Sequence, residues 1–246
     1  MTVTVRFVGS GDSFGSGGRL QTCILVEAPA TRFLLDCGAS SLIGLRAQGL
    51  DPNAIDAILL THFHGDHCAG VPFLLLDAML GAKRSRPLVV AGPPGTRERL
   101  EQMREVLFPG SARMTPKFAV DFVELAIDRP NAVRDLVVTP FPALHTPETT
   151  PTILRVEVAG KVVTYTGDTD WTDALIPAAA GADLLVSECC FYDKPVKMHM
   201  NYATLSANRH RLDAKRIVLT HMGPEMLAHA AAVPETAAHD GMVIEL

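Results

Sequence analysis

At 246 residues, with 48% hydrophobic side chains, the chain is long enough to bury a substantial core, and α/β folds of this length commonly run as one domain. Its 22 basic and 27 acidic side chains leave a formal charge of −5, which gives no general attraction to a phosphate backbone and argues against long nucleic acid as a partner. Five cysteines, Cys23, Cys37, Cys68, Cys189 and Cys190, are an odd number without a C-x-x-C pair, which argues against a disulfide framework and for reduced thiols in a cytoplasmic protein.

The start, Met1 to Val8, alternates like a strand and lacks the basic, apolar and small-residue regions of a signal peptide. Val3–Val8, Thr22–Glu27 and Arg32–Asp36 read as three strands of a meander, separated by the glycine-rich stretch Gly9 to Gly18 and by Ala28-Pro29-Ala30. The spacing of Leu42, Ile43, Leu45 and Ala47 predicts a helix over Ser40–Gln48 that stops at Gly49. Ala57–Thr61 is a buried-type strand, Val71–Leu80 an apolar helix, Leu88–Ala91 a strand and Thr96–Leu107 a helix with one charged side. After a more irregular stretch, strands recur at Val120–Leu125, Asp135–Thr139, Thr152–Val158, Lys161–Thr166, Leu184–Ser187 and Arg216–Thr220. A helix is expected over Tyr202–Leu212, and Met242–Leu246 is suited to close a sheet edge. Nowhere does an apolar run approach the roughly 18 residues of a membrane span.

Directly after the strand Ala57–Thr61 comes His62-Phe63-His64-Gly65-Asp66-His67, four potential metal ligands within six residues. Imidazole and carboxylate suit borderline divalent ions such as zinc, and alternation in a short loop lets His62 and His64 face one point while Asp66 and His67 face another. Six residues cannot complete two coordination shells. Further ligands are therefore expected just past later strand ends, and His145, Asp168 and His221 stand there.

This H-x-H-x-D-H motif, with the later His145, Asp168 and His221, resembles the metallo-β-lactamase superfamily from about Val5 to Gly223. The resemblance implies an αββα sandwich, two mixed sheets flanked by helices, with two divalent ions at its rim: zinc in the first instance, with manganese or iron as alternatives. One ion would be held by His62, His64 and His145, the other by Asp66, His67 and His221, with Asp168 between them. Thr61 to His67, Gly70 to Leu75 and Pro87 to Gly95 are most similar to the ribonuclease Z-like branch and its smaller phosphodiesterase relatives. That branch uses a glutamate in a His-Glu-Ala-Thr motif to support a later histidine near the leaving group. Ser187-Glu188-Cys189-Cys190 keeps the glutamate and loses the histidine before it, and His199 would be the later histidine.

The long basic arm with which ribonuclease Z grips transfer RNA has no clear equivalent. Lys83, Arg84, Arg86, Arg97, Arg99 and Arg104 are interleaved with Glu98, Glu101 and Glu105, which suits a solvated helix. The cysteines also lack the spacing of the additional zinc site in cyclic phosphodiesterases of carbon-phosphorus lyase operons. Flavin-linked di-iron relatives place a glutamate where His64 stands, which disfavours a redox role. Gly9 to Gly15 has the spacing G-x-G-x-x-x-G, unlike a dinucleotide loop, and is expected beside the ions. Phe63, Trp171, Phe191, Tyr192, Met198, Met200, Tyr202 and Met222 are candidates for an apolar substrate wall, some of them for the core.

The function expected is a dinuclear metal-dependent phosphodiesterase acting on a small or cyclic phosphodiester through a hydroxide shared by the ions, with Asp66, Glu188 and His199 as the catalytic side chains. The alternatives are a hydrolase of lactones, thioesters or β-lactams, a transfer-RNA 3′-processing endonuclease, and an idle metal-binding protein. A small-molecule substrate, no membrane and a homodimer complete the expectation.

Overall fold

The computed structural model describes residues 2–246, which build two seven-stranded sheets. The first runs β14 (Val243–Glu245), β1 (Thr4–Gly9), β2 (Cys23–Glu27), β3 (Arg32–Leu35), β4 (Ala57–Leu59), β5 (Leu88–Gly92) and β6 (Val120–Glu124) in spatial order. The second runs β13 (Thr236–Ala237), β12 (Ile217–Thr220), β11 (Leu184–Glu188), β10 (Lys161–Tyr165), β9 (Thr152–Val158), β8 (Leu136–Pro142) and β7 (Asn131–Val133). Both repeat one pattern. From β14 to β3 and from β7 to β10 neighbours are antiparallel, and from β3 to β6 and from β10 to β13 they are parallel.

Successive side chains of a strand point to opposite faces, and in the central strands β4, β5, β11 and β12 both faces are buried, so these read as apolar runs. In β3, Phe33 and Leu35 enter the core shared by the two sheets, while Leu34 turns outward. In β11, Leu184 and Val186 point inward and Leu185 outward. The outward residues of the first sheet are covered by α1 (Ser41–Ala47), α3 (Gly70–Leu80) and α4 (Thr96–Leu107), through Leu45, Leu74 and Leu100. Those of the second are covered by α5 (Leu175–Ala179), α6 (Tyr202–Asn208) and α7 (Pro224–His229), through Leu175, Leu205 and Met226. The result is the expected αββα sandwich.

Several elements depart from the sequence expectation. The strand expected over Asp135–Thr139 continues through Pro140 to Pro142. The prolines are tolerated because β7 pairs only with Leu136–Val138, so beyond that point β8 is an edge with no neighbour needing its N–H groups. The helix expected over Tyr202–Leu212 ends at Asn208 and tightens into a 3₁₀ turn over Arg209–Arg211. The strands β7 and β13 and the helices α5 and α7 were not expected. None of the helices among the described residues is long and apolar enough to cross a membrane.

Candidate metal centre

The chain directions bring the ends of β1, β3, β4, β8, β10, β11 and β12 to one rim of the sandwich, and the residues singled out above sit there. His62 and His64 follow β4, Asp66 and His67 lie in the short α2 (Gly65–Cys68), His145 follows β8, Asp168 follows β10, and His221 follows β12. Thr152 lashes the two sheets together here, donating from its N–H and hydroxyl to the carbonyl of Thr61 at 3.0 and 2.8 Å. Gly167 lets them approach: at φ 55°, a Cβ there would stand 2.8 Å from the Cβ of Thr61.

Among the described residues three groups of ligand-type atoms result, each with its members within 4.8 Å of one another, and two of them gather the residues of the motif. His62, His64, His145 and Asp168 form the first, and Asp66, His67, Asp168 and His221 the second. In the first, Nδ1 of His64 lies 3.2 Å from Nε2 of His62 and 3.0 Å from Nε2 of His145. Nitrogens held about 2.0–2.1 Å from one tetrahedral ion stand about 3.3 Å apart, so the spacing fits a shared cation. The second group has Nε2 of His67 3.3 Å from Oδ2 of Asp66, and Nε2 of His221 3.2 Å from the same oxygen. Asp168 divides its carboxylate between them. Its Oδ2 lies 3.9 and 3.8 Å from His62 and His145, and its Oδ1 lies 3.2 and 3.5 Å from His67 and His221.

Three of the ring nitrogens facing away from the centre are already engaged, whereas Nδ1 of His221 is buried without a partner. Nδ1 of His67 lies 2.7 Å from Oδ2 of Asp36, Nδ1 of His62 is 3.0 Å from the hydroxyl of Thr61, and Nδ1 of His145 donates to the carbonyl of Met198 at 2.8 Å. A hydrogen bond on one nitrogen fixes the tautomer and turns the lone pair of the other inward, as metal-ligating histidines require. Nε2 of His67 and Oδ1 of Asp168 are buried and have no hydrogen-bond partner. Such orphaned atoms are costly unless something else satisfies them, and a divalent cation between them would do so.

Charge differs between the groups. Burial, reinforced by the neighbouring imidazoles, lowers the pKa of His62, His64 and His145, which leaves them neutral. Burial would also lower His67 and His221, but the surrounding carboxylates, Asp168 foremost, outweigh it and raise His67 well above its ordinary value and His221 to about 9. Asp66 and Asp168 are held well below the usual carboxylate range, where the same histidines outweigh burial.

Asp36, Ser13 and Thr61 belong to the site and were missed in the sequence. Fully buried Asp36, at φ 59°, accepts from the N–H and hydroxyl of Thr61 at 2.7 and 2.8 Å as well as facing His67. The available signal was a carboxylate ending an apolar strand at the rim that bears the motif. Ser13, in the glycine-rich loop expected beside the ions, donates to Oδ2 of Asp66 at 2.5 Å. Asp36→Asn keeps an acceptor for Thr61 and suits the left-handed backbone, but presents an amide donor to His67. The variant should fold and lose roughly 10- to 100-fold in metal affinity. Competition with a chromophoric chelator checks this, and wild-type affinity would remove the orienting role of Asp36.

Glu188, the last residue of β11, is fully buried, and its Oε1 accepts from the N–H of Thr169 at 2.5 Å. Nδ1 of His199 lies 3.2 and 3.3 Å from its two oxygens and 3.9 Å from Oδ2 of Asp168, so the structure brings this pair to the centre. A carboxylate beside an imidazole favours its charged form, yet at His199 burial dominates and lowers the pKa, while burial and then Asp168 raise Glu188. Cys190 also lies within 4.8 Å of ligand atoms of Glu188, His199 and His221. Its thiol is pushed up by burial and then by Glu188, so it does not offer a ready thiolate.

The aromatic and methionine residues proposed as a substrate wall divide. Met200 and Met222 are fully buried in the outer core of the second sheet, Tyr192 stacks between Tyr202 and His229, and Met198 is 39% exposed. The basic residues divide too. Arg84 is buried and donates to the carbonyls of Asn53, Ile55, Arg86 and Pro87, while Arg86 pairs with Asp56 at 2.6 Å.

Residues 31–222 match the family model described as "Beta-lactamase superfamily domain". The chain is similar to ribonuclease Z of Mycobacterium bovis (strain BCG / Pasteur 1173P2), 30% identical over 242 residues that span 89% of this chain and 86% of that one. Among solved structures, the short form of human tRNase Z superposes with a TM-score of 0.76 at 25% identity over 98% of each chain. A diphosphatase from the PhnP family does so at 0.81 and 21% identity, over 100% of this chain and 98% of that one. With the family model spanning most of its length and its sandwich and rim geometry in place, the chain belongs to the metallo-β-lactamase superfamily.

Proposed function

We propose that this protein is a dinuclear metal-dependent phosphodiesterase acting on small or cyclic phosphodiesters. The observation that carries the proposal is the division of the Asp168 carboxylate between two groups of inward-facing ligand atoms. His62, His64 and His145 would hold one ion, Asp66, His67 and His221 the other, and Asp168 both. When bound, a pair of divalent ions lowers the pKa of water toward about 7 and neutralises charge gathering on the phosphoryl oxygens.

The chain's own groups do the rest. Asp66, whose Oδ2 accepts from Ser13, would serve as a ligand and orient the attacking water by a hydrogen bond. His199, with Nδ1 turned to Glu188, leaves Nε2 for the leaving oxygen. Phosphoester chemistry is supported by the relatives, a ribonuclease Z, a tRNase Z and a diphosphatase. A small substrate is supported by the net charge of −5 and by short connections, the longest run without helix or strand being residues 189–201. A metal-loaded panel of bis(p-nitrophenyl) phosphate, cyclic phosphodiesters, lactones, thioesters, nitrocefin and precursor transfer RNA tests the proposal. Turnover confined to carbon esters, or length-dependent cleavage of precursor transfer RNA at physiological salt, would contradict it.

The unequal charge of the two groups gives a separate expectation. In the metal-free protein His67 and His221 are protonated at pH 7, whereas His62, His64 and His145 are not. Filling the second group should therefore release more protons at pH 7 than filling the first. Because both pKa values are raised, that of His221 to about 9, affinity of the second group should climb as pH rises towards that value. Calorimetric titration in buffers of different ionisation enthalpy should show one step that depends on the buffer more strongly than the other. Two steps of equal dependence would contradict the assignment.

A further inference from the structure

We infer that an apolar trough beside His145 seats an uncharged alkyl or aryl substituent of the substrate, which names the substrate class of the phosphodiesterase proposed above and rests on that reading. The trough has a volume of about 530 Å³ and is walled by Ile127, Pro142, Leu144, Pro147, Pro151 and Met198, with His145 among its lining. That volume suits a small-molecule substituent.

His145 belongs to both features. Its Nε2 faces the first ligand group, 3.0 Å from His64, while the same residue lines the trough, so a phosphodiester held at that group has its substituent beside these walls. None of the lining residues is Lys, Arg, Asp or Glu. A second phosphate of a nucleic acid would find no cation there, whereas a hydrocarbon group would cover surface now open to water. Leu144 is 51% exposed and Met198 39% exposed, an arrangement that costs burial energy unless something covers it.

The walls are also held in place. The N–H of Leu144 donates to the hydroxyl of Thr169 at 2.8 Å, and its carbonyl accepts from Asp170 at 2.9 Å. The carbonyl of Met198 is the acceptor for His145. Three prolines further limit the walls' freedom, so little ordering is required of the protein when a substituent enters. A second apolar feature lies on the opposite ligand group's side. Phe14, 92% exposed, follows Ser13 in a loop whose N–H groups at Phe14 and Ser16 are both tied to Asp12.

The test uses the metal-loaded full chain and n-alkylphosphonates from methyl to hexyl, whose dissociation constants are read by calorimetry without requiring turnover. Affinity should rise about two- to fourfold per methylene. The double variant Ile127→Ser, Leu144→Ser replaces one half-buried and one exposed wall residue and should flatten the series. Leu80→Ser, 59% exposed on α3, should leave the series as in wild type. A flat series in wild type, or an unchanged slope in the double variant, overturns the inference. A flat series together with a dimer that the double variant dissociates would assign the trough to a second copy of the chain, and also overturns it. Turnover separates the two levels: a steep series without phosphodiester hydrolysis keeps the trough and removes the phosphodiesterase, and hydrolysis with a flat series does the reverse.

Discussion

Asp168→Ala is expected to reduce bound metal below two ions per chain and to lower phosphodiester turnover by at least about 10²–10³, the loss that follows removal of a single transition-state stabilising group. The size of the effect follows from geometry. Asp168 is the one residue common to both ligand groups, with Oδ2 toward His62 and His145 and Oδ1 toward His67 and His221. It is also the foremost group holding up the pKa of His67 and His221, so its loss alters the charge of the second group as well as its shape. Asp168→Asn, which keeps the size of the side chain, guards against misfolding. Cys68→Ala provides the contrast: Cys68 follows His67 in sequence, yet its side chain lies in the outer core with Leu45 and Val71. Its loss should lower stability by roughly 0.5–3 kcal/mol and leave metal content intact. Elemental analysis of the three variants checks this, and equal metal loss in Asp168→Ala and Cys68→Ala would contradict the assignment.

His199→Ala is expected to keep its metal but to lose roughly 10²–10⁴ in turnover of substrates with poor leaving groups. The structure places Nδ1 of His199 on Glu188 and its ring 4.9 Å from that of His145, beside the centre but outside the two main ligand groups. Its lowered pKa makes the protonated imidazole scarcer, and a stronger acid once formed, than an exposed histidine. Buried Glu188, which also accepts from Thr169, is the adjoining group able to share that proton. Alkyl phosphodiesters, whose leaving oxygen needs a proton, should suffer most, and nitrophenyl esters much less. Equal losses on the two substrates would remove the acid role, and loss of metal would place His199 in the ligand shell.

Much of this candidate site was legible because its ligand-type residues are dense and lie at strand ends. The buried strand Ala57–Thr61 followed by His62, His64, Asp66 and His67 marks the rim unaided, and a polar residue just past a strand end identifies His145, Asp168 and His221. The supporting shell was not legible. Asp36 reads as the end of a strand, and its role appears only when β3 and β4 lie side by side and carry it to Thr61 and His67. Ser13 likewise meets Asp66 across 53 residues of chain. In the fold, long alternating or apolar runs such as Thr152–Val158 were plain. Short elements such as β13, two residues paired with β12, carry too little pattern of their own and exist because a neighbour offers a free edge. His199 followed from family resemblance, and its depressed pKa could not, because burial is a property of the folded chain.

The most direct measurement of the central claim is the rate of bis(p-nitrophenyl) phosphate hydrolysis as a divalent ion is titrated into the metal-free protein. Turnover is expected to rise and to saturate at two equivalents per chain. Saturation at one equivalent, or no phosphodiester hydrolysis with two ions bound, would contradict that claim.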